Sequence, residues 1–270
     1  MKYGCCVNLL PKREAKTGIE YAGRLKALGY DYVELPLNEL SKLSEPEFEA
    51  LLQRLEEAGL PCLCCNDFMP ASFQITGPRL TPREELSNYL RLAMGRLRRL
   101  SASYTVFGSP WFRSCPEGFP RERAFGQIAD FLGMAGDEAA RNGIVIAVEH
   151  NNRSETNMLN HFSDVVQMVR AVGHPNVRAL CDYYHLRYEG DAPDVLLESG
   201  DLLVHTHIAQ LENRRYLTDL SREPALSQYA AVLRRMRYRG GVSIEGYVDS
   251  PDSWEADARA TLSNLRQVFE

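Results

Sequence analysis

Eight strand-like runs, each followed by a helix-like segment, predict one closed (β/α)8 barrel over residues 1–270. Two further observations support this class. The chain's 270 residues match the roughly 250 such a barrel needs. No G-x-G-x-x-G or Walker sequence follows an early strand, as an open doubly wound sheet would require. No low-complexity tract or composition break divides the chain.

The elements follow in order. Tyr3–Asn8 reads as a first strand and Gly18–Leu28 as a helix stopped by Gly29. Tyr30–Leu35 is strand-like, and Pro46–Ala58 helical up to Gly59. Leu60–Asn66 is the third strand. Pro82–Leu100 is a helix with Thr81 as its expected N-cap and Glu84 and Glu85 in the first turn. Ser103–Phe107 is the fourth strand, and Arg121–Arg141 a long helix ended by Asn142-Gly143. Ile144–Glu149 is continuously apolar, as a strand covered on both faces must be. Ser163–Ala171, Val177–Asp182 and Ala192–Ser199 continue the alternation. Leu202–Ile208, Pro224–Tyr238, Val242–Gly246 and Pro251–Phe269 complete it.

A chain that is 44% hydrophobic can fill a full core. Its net charge of −5 speaks against a nucleic-acid-binding surface, and no apolar run approaches the ~20 residues needed to span a bilayer. The start, MKYGCCV, lacks the layout of a signal peptide, and most of the seven cysteines fall inside strands, where a free thiol acts as a small hydrophobe. The expectation is a cytoplasmic protein. Cys62 and Cys65 form a C-x-x-C, but on a regular strand their side chains point to opposite faces, so no zinc or redox site is expected there.

Four residues of metal-ligand type close four successive strands: Glu149, Asp182, His207 and Glu245. Barrel active sites form at the carboxyl ends of strands, so these groups can converge. Three carboxylates and one imidazole suit one hard divalent cation, Mn²⁺ first, with Mg²⁺, Co²⁺ or Fe²⁺ as alternatives. Structural zinc would call for thiolates or several imidazoles. His205 shares the parity of His207 and reads as a buried neighbour, while His185 can overhang the site from a loop. His150, His161 and His174 read as loop or surface residues. The loop Trp111-Phe112-Arg113 reads as exposed, able to stack on a sugar and meet a phosphate. The basic run Arg91–Arg99 reads as the solvated face of an outer helix.

The segments VEHNNRSETN, CDYYH, HTHIA, ENRRY and SIEGY resemble the xylose-isomerase-like superfamily of sugar isomerases and epimerases, and YDYVELP and FGSPWFRSCPEGFPRERA extend the likeness. Within it, the ketose 3-epimerases are the nearest mechanistic model. That resemblance implies that Glu149 and Glu245 hold the metal and also shuttle a proton between the two faces of a ketose through a cis-enediolate. It implies that Glu155, His185 and Arg214 grip the substrate. The chain departs from the pattern in three places: Ala209-Gln210 replace Gly-Glu, Val7-Asn8-Leu9-Leu10 replace an aromatic wall, and the Asn-Arg pair shifts by about one position. The last leaves Arg215 as an alternative to Arg214. Glu34 resembles an acidic position common in the superfamily, either orienting a neighbour of the metal or lying hydrogen-bonded at the rim.

The implied activity is a metal-dependent isomerase or epimerase acting on a small sugar, alone or as a homo-oligomer. The alternative is a lyase of the same superfamily, dehydrating a keto-inositol or cleaving a 3-keto-glycoside. An apurinic endonuclease would need many more histidines than the six present, and a non-catalytic binding barrel would be expected to have lost a ligand.

Overall fold

The computed structural model describes residues 1–11, 15–248 and 250–270. In chain order the elements are β1 (Lys2–Cys6), α1 (Ala22–Leu28), β2 (Tyr32–Pro36), α2 (Leu37–Leu40), α3 (Glu45–Ala58), β3 (Cys62–Asn66) and α4 (Arg83–Arg99). Then come β4 (Tyr104–Phe107), α5 (Arg121–Asn142), β5 (Val145–Glu149), α6 (Phe162–Val172), β6 (Val177–Asp182) and α7 (Tyr183–Glu189). The chain continues through β7 (Leu203–Ile208), α8 (Leu226–Arg235), β8 (Gly241–Ile244) and α9 (Trp254–Phe269). The strands are all parallel and pair in sequence order, and β8 closes onto β1 with Cys5 opposite Ile244.

Strand alternation sorts the side chains. Cys64, Val106, Ala147 and Leu180, from β3 to β6, pack together inside the barrel. The opposite parity, with Val33, Leu35, Cys65, Phe107 and Val148, joins the helices in the larger core outside it. Each large aliphatic side chain buried there contributes about 1.5–3 kcal/mol. Residues two positions beyond the interior layer therefore point inward at the carboxyl ends of the strands. These include Asn66, Gly108, Glu149 and Asp182.

Several local expectations change. The Thr81 hydroxyl accepts the Gln74 N–H at 2.9 Å, and Pro82 takes the cap position of α4. The segment Ala192–Ser199 is a 3-10 turn over Pro193–Ser199. Arg96, on the basic run, is buried and donates to the carbonyls of Leu40 and Leu43, with Phe48 beneath its guanidinium. Cys62 and Cys65 do not face apart. Leu63 is bulged, because Val33 pairs with Cys62 while Glu34 pairs with Cys64. The extra residue resets the alternation and leaves the two sulfurs 3.6 Å apart in the outer core. No helix among the described residues is long and apolar enough to cross a membrane.

Candidate metal centre and its cavity

Glu149 and Asp182 are the last residues of β5 and β6, His207 is the penultimate residue of β7, and Glu245 follows β8 directly. All four are buried, and one ligand atom from each lies within 4.8 Å of the others. His207 Nδ1 stands 3.0 Å from both Glu149 Oε1 and Glu245 Oε2. Arg214 Nη2 reaches Glu245 Oε2 at 2.7 Å and Asp182 Oδ2 at 3.1 Å. Asp182 Oδ1 accepts the Tyr184 N–H at 2.8 Å, so the same carboxylate caps α7. That helix begins with no loop after β6, which is why the alternation alone did not reveal it.

The donor set fits a hard divalent cation. Three carboxylates are crowded out of water, where like charges repel strongly. Burial, followed by the opposing pull of Arg214 and the push of Glu149, leaves the Asp182 carboxyl at about 7. Burial also works against a charged Glu245, but His207 and Arg214 outweigh it and hold that carboxyl at about 2. The cluster thus draws on every nearby positive group, and oxygen-rich ligation with one imidazole is the chemistry such a cation accepts.

Behind the cluster, the other edge of the His207 ring faces Glu34, with Nε2 3.3 Å from Oε2. Glu34 also meets His205 Nε2 at 2.7 Å and accepts the Ser243 hydroxyl, which lies 2.6 Å from Tyr32 Oη. Burial opposes the Glu34 charge, but His205 and His207 hold it well below the usual carboxylate range. Glu34 is therefore deep inside the barrel and not a rim residue.

The three groups expected to meet a substrate converge above the ligands. Arg214 Nη1 lies 3.6 Å from Glu155 Oε1, and Asn152 Nδ2 donates to that oxygen at 3.1 Å. His185 Nδ1 accepts the Asn152 backbone N–H at 3.2 Å, Nε2 lies 3.2 Å from Asn151 Nδ2, and burial pushes the ring well below the usual histidine range. The same Nε2 lies 3.5 Å from Asp182 Oδ2. A left-handed turn at Asn213 and Arg214 aims Arg214 inward over the Tyr184 ring, while Arg215 donates to the Val248 carbonyl. Only Arg214 of the pair reaches the cluster.

Two histidine and loop expectations need correction. His150 is buried, its Nδ1 3.3 Å from the Asn160 carbonyl. Trp111 is exposed as expected, but Phe112 and Arg113 are buried. The Arg113 guanidinium donates to the carbonyls of Phe107 and Gly108 and to Asn151 Oδ1, so it braces two loops and reads no phosphate. Sequence reasoning also passed over Gly108. A Cβ at this position would collide with Glu149 Oε2, so the absent side chain makes room for that carboxylate.

These groups open into a cavity of about 390 Å³, bordered by Glu149, Glu155, Arg214, Glu245, Asn66 and Trp111 among others. A larger one, about 720 Å³, lies at the amino ends of the strands around Met1, Tyr104, Arg237 and Gly241, away from the cluster. Barrel chemistry belongs to the carboxyl ends, so the smaller cavity is the candidate site.

The family model described as "Xylose isomerase-like TIM barrel" matches residues 22–268. The chain belongs to this family. Among the relatives, the 3-dehydro-D-guloside 4-epimerase of Escherichia coli is 27% identical over 257 residues, 90% of this chain and 91% of that protein. The D-psicose 3-epimerase of Agrobacterium fabrum is 23% identical over 248 residues, 88% of this chain and 82% of the relative. The crystal structure of a D-psicose 3-epimerase with D-tagatose from Clostridium cellulolyticum superposes with a TM-score of 0.88 at 19% identity, covering 100% of both chains. This likeness shows the barrel fold.

Proposed function

We propose that the chain is a divalent-metal-dependent epimerase of a ketose or related keto-sugar. The observation that carries this reading is the pairing of Glu149 and Glu245. They come from different strands, both border the cavity, and both stand 3.0 Å from the same imidazole nitrogen. The epimerases among the relatives support the same reading.

Glu149, Asp182, His207 and Glu245 would hold the cation, Mn²⁺ by preference. When bound, it supplies a positive charge that polarises a carbonyl and acidifies the adjacent C–H. One glutamate takes that proton, and the C–H electrons move into the new C=C bond of an enediolate. The other glutamate returns a proton to the opposite face, so configuration inverts with no change of mass. Arg214, held by Glu155, and His185 orient the substrate oxygens, which is where much of the rate comes from.

The test is turnover of a ketohexose in D2O. The expected product is an epimer of equal skeleton carrying one solvent deuterium beside the carbonyl. An isomer without deuterium would point to hydride shift, and a product lighter by water or an aglycone would establish the lyase chemistry instead.

A further inference from the structure

We infer that Asn66 forms a second polar subsite, across the cavity from the four-ligand cluster, that takes a hydroxyl at the far end of the sugar. The inference deepens the reading above and rests on it for the sugar class. Asn66 closes β3, with Pro36 of β2 as its neighbour in register. It shares the inward parity of Cys64, so its side chain tops the interior layer. β3 lies four strands from β7 in either direction around the closed barrel, so Asn66 faces His207 across the opening.

The residue is 2% exposed, borders the cavity, and neither its amide nitrogen nor its amide oxygen has a hydrogen-bond partner among the described residues. A buried amide left unpaired is costly, and native structures keep such groups where something else satisfies them. The open groups of Asn66 are thus an amide donor and an amide acceptor. A hydroxyl, which both donates and accepts, matches them; a methyl group does not.

A sugar whose reacting carbons lie at the β5–β8 side would present its distal carbons to Asn66.

The experiment measures, by calorimetry on the metal-loaded protein, the affinity of a ketohexose and its 4-, 5- and 6-deoxy analogues. The wild type is expected to bind at least one deoxy analogue about tenfold more weakly than the parent, a typical cost for one lost hydrogen bond. In Asn66→Leu, of nearly the same shape, that ratio should fall to about one, with Asn66→Ala as a second variant. Thermal stability of Asn66→Leu should equal or exceed wild type, because a structural amide would be missed and an unpaired one is not. Unchanged discrimination or a marked loss of stability would each overturn the subsite. Deuterium uptake separates the two readings. Discrimination through Asn66 without any exchange keeps the subsite and removes the epimerase, whereas exchange without discrimination does the reverse. Failure of every ketohexose to bind would remove both.

Discussion

Glu34 Oε2 stands 3.3 Å from His207 Nε2, at the ring edge opposite the one that faces Glu149 and Glu245. A buried carboxylate that receives one imidazole N–H leaves the other ring nitrogen with its lone pair free, which fixes both tautomer and ring orientation. Glu34→Gln should therefore weaken Mn²⁺ binding by about 10–100-fold while the barrel stays folded. Calorimetric titration checks this, and wild-type affinity in the variant would remove Glu34 from the ligand's support.

The four-ligand cluster predicts about one divalent ion per chain in protein purified without chelator. His207→Ala and Asp182→Ala should each lose that ion, with circular dichroism unchanged. Full metal content in both, read by elemental analysis, would dismiss the assignment. Glu149→Gln and Glu245→Gln should each lower turnover by at least ~10²-fold, the usual share of a general acid or base.

Gly108→Ala tests the fit of one carboxylate. The added methyl would collide with Glu149 Oε2, so the side chain must swing away from its present place. Activity should fall about 10²-fold, because small displacements of catalytic groups are expensive. Near-wild-type turnover in this variant would mean that the position of Glu149 is not demanding.

Arg214 and Arg215 should separate cleanly. Arg214→Ala should cut kcat/KM by about 10²-fold through lost orientation, with metal content retained. Arg215, which donates to the Val248 carbonyl, should give a variant altered in stability more than in turnover. The reverse ranking would show that the left-handed turn at Asn213 and Arg214 aims the wrong guanidinium.

Alkali should unfold the barrel through its buried thiols and phenols. Burial raises Cys5 to about 12 and lifts Tyr30 and Tyr32 well above their ordinary range. Groups raised in the fold bind more protons folded than unfolded. Their contribution is thus complete below the unfolded values, about 8.5 for Cys and 10 for Tyr, and is lost as pH climbs toward 12. Stability measured by denaturant titration should decline over that window. Absorbance at 295 nm should show these tyrosines ionising together with unfolding; smooth early ionisation in the native protein would contradict their burial.

The metal-type residues were legible because strand parity and position at a strand's carboxyl end are local facts. An inward side chain at the end of β5 or β6 must reach the barrel mouth, whatever its neighbours are. Gly108 and Asn66 carry the same signal on β4 and β3, and were passed over because a glycine and an amide do not announce themselves as Glu and His do.

By itself, then, the sequence determined the eight-fold alternation and the inward row of ligand types, which follow from periods of two and 3.6 residues along one chain, while its strand-end motifs carried the family likeness. The tertiary structure alone decided which distant groups meet. The bulge at Leu63 turned Cys62 and Cys65 to one face, against the period-two expectation. Loop paths buried Arg113 and His150 and chose Arg214 over Arg215. Barrel closure set Glu34 of β2 against His205 and His207 of β7, more than 170 residues away in sequence. Such pairings depend on register and closure summed over the whole sheet, which no local pattern encodes.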